Sequence, residues 1–173
     1  MSYLELCCAA GCKSVILGRR HDVIALDINK KRIRSAIKNS KLFGVLGKIR
    51  FICGSVLNSS LLSSLGKFSA IFIDADWREN LHDPIKKQNL DPIKTTPRTD
   101  KLFTLLRKVF PNSALVFKVS PFVRVKDMRH LGPCKIEEFY INGKFLCYYV
   151  YYSSRIKSNS YKKVFKQDCR SII

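Results

Sequence analysis

The chain has 173 residues, 46% of them hydrophobic and 26% charged, the size and balance of one globular domain with a full core. Lys and Arg number 32 against 13 Asp and Glu, a net charge of +19 that favours a polyanionic partner, above all nucleic acid, over a small neutral ligand. No apolar run approaches the ~20 residues of a membrane span, and no signal segment is read ahead of the first strand, so the expectation is a cytoplasmic protein with no membrane partner.

In chain order, a first strand is predicted over Tyr3–Cys8, ending in the small-residue turn Ala9-Ala10-Gly11-Cys12. A helix over Lys13–Arg19 and a strand over Asp22–Asp27 complete a strand-turn-helix-strand unit that ends on an acid. That layout holds a nucleoside cofactor at the carboxyl edge of a parallel sheet. A helix follows over Lys31–Phe43, with Ile33, Ala36 and Ile37 at helical spacing and Gly44 to stop it. Strand three is Ile49–Cys53, a short helix spans Ser59–Leu65, and strand four, Ala70–Asp74, is apolar as a central parallel strand should be. The long loop Ala75–Thr95 has the length of a functional or disordered segment.

Past the loop, a helix starts near Pro97 and runs to Val109, strand five covers Ala114–Val119, and a short helical stretch covers Lys126–His130. Strands six (Ile136–Ile141) and seven (Lys144–Tyr151) flank Asn142-Gly143, a strong hairpin signal. The expected fold class is α/β: a doubly wound, mostly parallel seven-stranded sheet closed by an antiparallel hairpin. One domain is expected over residues 1–152, with 153–173 as a basic, flexible tail.

Basic residues cluster. Lys30, Lys31, Arg32, Arg34, Lys38, Lys41, Lys48 and Arg50 follow one another with no acid between, and the tail adds Arg155, Lys157, Lys162, Lys163, Lys166 and Arg170. The seven cysteines make no disulfide or zinc pattern. Cys7, Cys8, Cys53 and Cys147 fall in predicted strands as small hydrophobes, and no metal site is expected.

The layout resembles the class I S-adenosyl-L-methionine-dependent methyltransferases over about residues 2–152. Glu5-Leu6-Cys7-Cys8-Ala9-Ala10-Gly11 looks like the first motif of the RNA-modifying members. Phe51-Ile52-Cys53-Gly54-Ser55 is similar to the F-I-x-G-D segment of the RNA cap guanine-N2 (trimethylguanosine synthase-like) group. Ile73-Asp74-Ala75-Asp76-Trp77 stands where that group carries Asp/Ser-Pro-Pro-aromatic. Lys118-Val119-Ser120-Pro121, with the Asn142-Gly143 hairpin, is similar to a set of small prokaryotic methyltransferase domains.

The resemblance implies a cofactor, S-adenosyl-L-methionine, in a loop containing Cys7, Ala9 and Gly11. Glu5 would accept from its ammonium group and Asp27 from its ribose hydroxyls. Ile28, Ser55 and Val56 would lie against its adenine. The bland alternatives are an edge charge for Glu5, a helix cap for Asp27 and a plain core residue for Ile28; the placement of Glu5 and Asp27 on adjacent strand ends favours the cofactor reading. The resemblance further implies that Asp74, Asp76 and Trp77 hold an acceptor base, by N–H acceptance and stacking.

Three departures stand out: Ala9 and Cys12 where glycines are usual, and Ser55 for the adenine-binding aspartate. Related enzymes also cover the cofactor with helices ahead of strand one, a role a homodimer or partner subunit would take here. The function expected first is methyl transfer to an RNA base nitrogen. The alternative is a non-catalytic RNA-binding module on a degenerate methyltransferase fold. A small-molecule methyltransferase fits the charge less well.

Overall fold

A computed structural model describes residues 2–76 and 95–166 of the chain. Its strands are β1 (Ser2–Leu6), β2 (Asp22–Asp27), β3 (Ile49–Cys53), β4 (Ala70–Ile73), β5 (Ala114–Val119), β6 (Lys135–Ile141), β7 (Lys144–Tyr152) and β8 (Ser160–Lys166). Its helices are α1 (Cys12–Gly18), α2 (Lys30–Leu42), α3 (Ser59–Ser63) and α4 (Thr99–Val109), with 3-10 turns at Leu46–Lys48 and Val125–Leu131. Among the described residues no helix is long and apolar enough to cross a membrane.

The strands form one sheet in the order β3-β2-β1-β4-β5-β7-β6-β8. Pairing is parallel from β3 through β5, and β7 runs antiparallel between β5 and β6. The reversal of strand order between β1 and β4 opens a crevice at the carboxyl edge, the usual ligand position in such sheets. The expected doubly wound sheet and its closing hairpin are both present.

Packing follows the apolar pattern. The larger core joins Leu4, Leu6, Ile71, Ile73, Leu115 and Phe117 of the sheet to Leu62, Leu102, Leu106 and Met128. A smaller core under α1 and α2 contains Cys8, Val15, Val23, Ala25, Ile33 and Ile49. In α2, Ile33, Ala36 and Ser40 make the buried stripe, and Gly44 at φ 68° follows its end. The helix is capped by Asn29, whose side chain accepts from the amides of Lys31 (2.9 Å) and Arg32 (3.2 Å). The cap reading of Asp27 is thereby replaced.

Among the described residues the sheet has eight strands, where seven were expected. Ser160–Lys166 lies within the predicted flexible tail, yet it pairs in parallel with β6 along seven residues. Its lysines masked it: an outermost strand needs little apolar content, and charge on such an edge prevents further pairing. The first strand stops at Leu6, which puts Cys7 and Cys8 in the turn. Cys53 is exposed at the end of β3 rather than buried.

Candidate active site at the carboxyl edge of the sheet

The turn after β1 is held in an unusual backbone conformation. Cys7 (φ 61°), Ala9 (φ 48°) and Gly11 (φ 78°) all lie in the left-handed region. Glycine accepts this freely, whereas each of the other two is strained by about 1–2 kcal/mol. Gly11 is further constrained, since a Cβ there would stand 2.8 Å from the Cβ of Ala36 on α2. Close approach of the turn to α2 is also marked by the Asn39 amide, which donates to the Ala10 carbonyl at 2.9 Å.

Asp27 offsets the strain. It is buried at 3% exposure at the end of β2. One carboxylate oxygen accepts the Ala9 N–H at 2.9 Å and the other accepts the Asn29 N–H at 2.8 Å. A single carboxylate therefore ties the first turn to the start of α2 through charge-assisted bonds. Its main-chain carbonyl accepts from Gly54 at 3.0 Å, which draws in the turn after β3. Ile28, next along, is 73% exposed, an apolar side chain standing free at the crevice.

Glu5 lies on the neighbouring strand, below the turn, and is also 3% exposed. The Ser14 hydroxyl of α1 donates to its carboxylate. Burial raises the Glu5 carboxyl to about 7, against the lowering effects of Ser14 and of the Lys13 charge. Lys13 itself sits over the rings of Phe72 (5.3 Å) and Tyr149 (5.0 Å), with its ammonium 3.4 Å from the Tyr149 hydroxyl. Burial pulls Lys13 below its ordinary value, while Glu5 and Asp74 hold it up. Burial pushes the Cys7 thiol up to about 12, which keeps it protonated at neutral pH.

Asp74 directly follows β4, its amide donating to the Leu6 carbonyl at 3.3 Å. Its carboxylate pairs with Lys118 of β5 at 2.8 Å, both side chains being 33% exposed. Asp76 is fastened through its backbone, which exchanges bonds with Thr96 at 3.1 and 2.8 Å. Trp77 lies outside the described residues. Ser55 spends its hydroxyl locally, accepting the Leu57 amide at 3.2 Å. The Val56 side chain is buried in the larger core, which leaves its main chain for any ligand contact.

The fold thus gathers Glu5, Cys7, Ala9, Gly11, Asp27, Ile28, Asp74 and Asp76 at one sheet edge. Sequence reasoning missed Ser14 and Tyr149, which carry no motif. Lys118 had a signal, a lysine inside an apolar strand, but its destination is Asp74 rather than a phosphate or open solvent.

A model of the RNA cap guanine-N2 methyltransferase family matches residues 1–122, and the chain belongs to that family. Its fold is shared with a protein of Porphyromonas gingivalis W83 described as a methyltransferase, at TM-score 0.69 and 14% identity over 88% of this chain. The chain spans 36% of that protein's length. It is also similar to magnesium protoporphyrin IX methyltransferase from Synechocystis PCC 6803, solved with bound S-adenosylmethionine, at TM-score 0.56 and 14% identity. That match covers 88% of this chain and 69% of the other.

Proposed function

We propose that this member of the RNA cap guanine-N2 methyltransferase family binds S-adenosylmethionine beside β1 and β2 and methylates a nitrogen of an RNA base at the end of β4. The observation that carries the reading is the juxtaposition, at one sheet edge, of a turn clamped by Asp27 and the accessible carboxylate of Asp74. Their strands stand two steps apart, about 10 Å at ~4.8 Å per strand. The net charge of +19 supports RNA as the partner.

The residues at the edge fit the cofactor. The lone pairs of Asp27 that are not directed at Ala9 and Asn29 would take the ribose hydroxyls. Ile28 would meet the adenine, and Ser55 its rim. Cys7, Ala9 and Gly11 would approach with their backbone. Glu5 would serve as a positioning residue, fixing Ser14 and α1 beneath the turn, in addition to the acceptor role that the resemblance implies. When bound, the cofactor supplies an electrophilic methyl group.

The chain's own part is placement. Asp74 would exchange Lys118 for an N–H of the acceptor base, aiming the nitrogen lone pair across the crevice. The Asp74 carboxylate would then take the proton that the amine sheds as it gains the methyl group, while Lys118 turns to solvent. The backbone tie between Asp76 and Thr96 would fix the segment that leads to Trp77, whose ring would stack on the base.

A second reading, an RNA-binding module without catalysis, is favoured by two observations: non-glycine residues in the left-handed turn, and carboxylates already occupied by Ser14 and Lys118. Calorimetric titration with S-adenosylmethionine and its demethylated product is expected to give micromolar dissociation constants. Mass spectrometry of nucleosides from RNA incubated with the protein is then expected to show one methylated base. No binding heat at high ligand concentration overturns the first reading. Binding without a methylated nucleoside moves the conclusion to the second.

A further inference from the structure

The outer half of the sheet carries a group of rings that methyl transfer leaves unused. Phe165 of β8 stands opposite Tyr140 of β6, and Tyr140 stands opposite Phe145 of β7. The Tyr140 and Phe165 rings stack at 4.7 Å and 26°, and Tyr140 and Phe145 lie 5.2 Å apart at 33°. A ladder of near-parallel rings thus crosses three strands. It is not sealed under a helix: Phe165 is 65% exposed and Tyr161, further down β8, is 45% exposed. The bulge between Phe139 and Tyr140 marks where β6 is re-aimed.

Charge accompanies the rings. Lys163 is 58% exposed and shares the face of Phe165 by strand alternation, while Lys144 and Lys166 are exposed at the hairpin end. Glu138 lies among the rings at 12% exposure and is turned inward: the Tyr140 hydroxyl donates to it at 2.8 Å, the Tyr161 hydroxyl donates to it as well, and Lys163 lies 3.8 Å away. It orders the tyrosines rather than presenting a charge to a ligand. A second copy of β8 laid on this edge would bring like-charged lysines together, which disfavours self-association. The exposed ring of Phe165, with Lys163 on the same face, is complementary instead to a stacked base and its phosphate.

We propose that Phe165, braced from behind by Tyr140 and Phe145, forms a stacking platform for a base of single-stranded RNA flanking the methylated residue, with Lys163 against its phosphate. β8 lies four strands from β4, about 19 Å at ~4.8 Å per strand, and its end lies at the same sheet edge as Asp74. The platform rests on the reading of RNA as substrate and gives the strand its path across the sheet.

The test uses the full chain and a fluorescein-labelled oligouridylate, followed by fluorescence anisotropy over a range of salt concentrations. Phe165→Ala is expected to weaken binding by about tenfold with its salt slope unchanged, and Phe165→Trp to retain wild-type affinity. Lys163→Gln is expected to lower the log–log salt slope by about 0.7. Thermal melts of each variant check the fold, and Phe165 at an exposed edge position leaves the core intact. Wild-type binding with an unaffected Phe165→Ala overturns the platform and spares the RNA reading. Failure of the wild type to bind at low salt removes the RNA reading itself. A wild-type dimer dissociated by Phe165→Ala in sedimentation assigns the face to a second copy and overturns the proposal.

Discussion

Two of the acidic residues at the crevice, Asp27 and Asp74, are held in opposite ways. Asp27, at the end of β2, is buried and bonded to backbone amides of two different segments. Asp74, after β4, is one-third exposed and bonded to the side chain of Lys118. A carboxylate fixed to main chain cannot let go without the local fold moving. One fixed to a lysine ammonium can change partners at little expense, because water and side-chain rotation replace what is lost. The first is therefore suited to shaping a permanent cradle and the second to meeting a transient acceptor.

The strongest way to break this contrast is Asp27→Ala. It strips the part-buried Ala9 and Asn29 amides of charge-assisted bonds, an expected loss of about 2–4 kcal/mol in urea unfolding. Cofactor binding is expected to vanish with it. A variant unfolding at the wild-type urea concentration would make Asp27 no clamp at all.

Glu5 sharpens the contrast, because it is as buried as Asp27 but has a hydroxyl partner in place of amides. Its carboxyl, raised to about 7, holds a proton more tightly in the folded state than the ordinary value of 4.5 allows unfolded. The stability this contributes is complete below about pH 4.5 and is lost as pH rises to about 7. Lys13 and Asp74 are the charges that face it. A shift of this size corresponds to about 3 kcal/mol, so wild type should lose that much between pH 4 and 8 relative to Glu5→Gln. Parallel pH profiles for the two proteins would place the carboxyl in a wetter site.

A smaller gain is expected from Ala9→Gly. Removing the Cβ at φ 48° relieves about 1–2 kcal/mol of strain, part of which returns as unfolded-state entropy, leaving the variant about 0.5–1 kcal/mol more stable. The turn bonds to Asp27 are main-chain bonds and survive. A loss of stability would show that the methyl group of Ala9 packs usefully.

Much of this was legible in the residues. Alternating strands and helices gave the sheet, and Asn142-Gly143 gave the hairpin that ends the parallel run. The site was legible where a motif residue acts through its position, as Asp27 does. It was hidden where one residue's role depends on a distant partner. Nothing in Glu5-Leu6 announces Ser14 as its donor, and nothing in Asp27-Ile28-Asn29 shows that the asparagine, not the aspartate, caps α2. β8 was hidden for a related reason: Tyr161 to Lys166 reads as a charged tail until Tyr140 and Glu138 are seen beside it.

The smallest effect on stability, and the most telling, belongs to Lys118→Met. The substitution keeps the aliphatic stem in β5 and removes the ammonium from Asp74. With both partners 33% exposed, solvent screening limits the pair to about 0.5 kcal/mol, so the melting temperature should move by only ~1–2 °C. Cofactor affinity should be unchanged, since Asp27 and its amides lie on other strands. Methyl transfer should nevertheless fall, because the ammonium no longer holds the Asp74 carboxylate in position to meet the acceptor N–H. Single-turnover rates with bound cofactor and RNA separate the outcomes. A reduced rate at intact cofactor affinity supports exchange of partners at Asp74. A rate equal to wild type makes Lys118 a surface ion pair and leaves Asp74 to act alone.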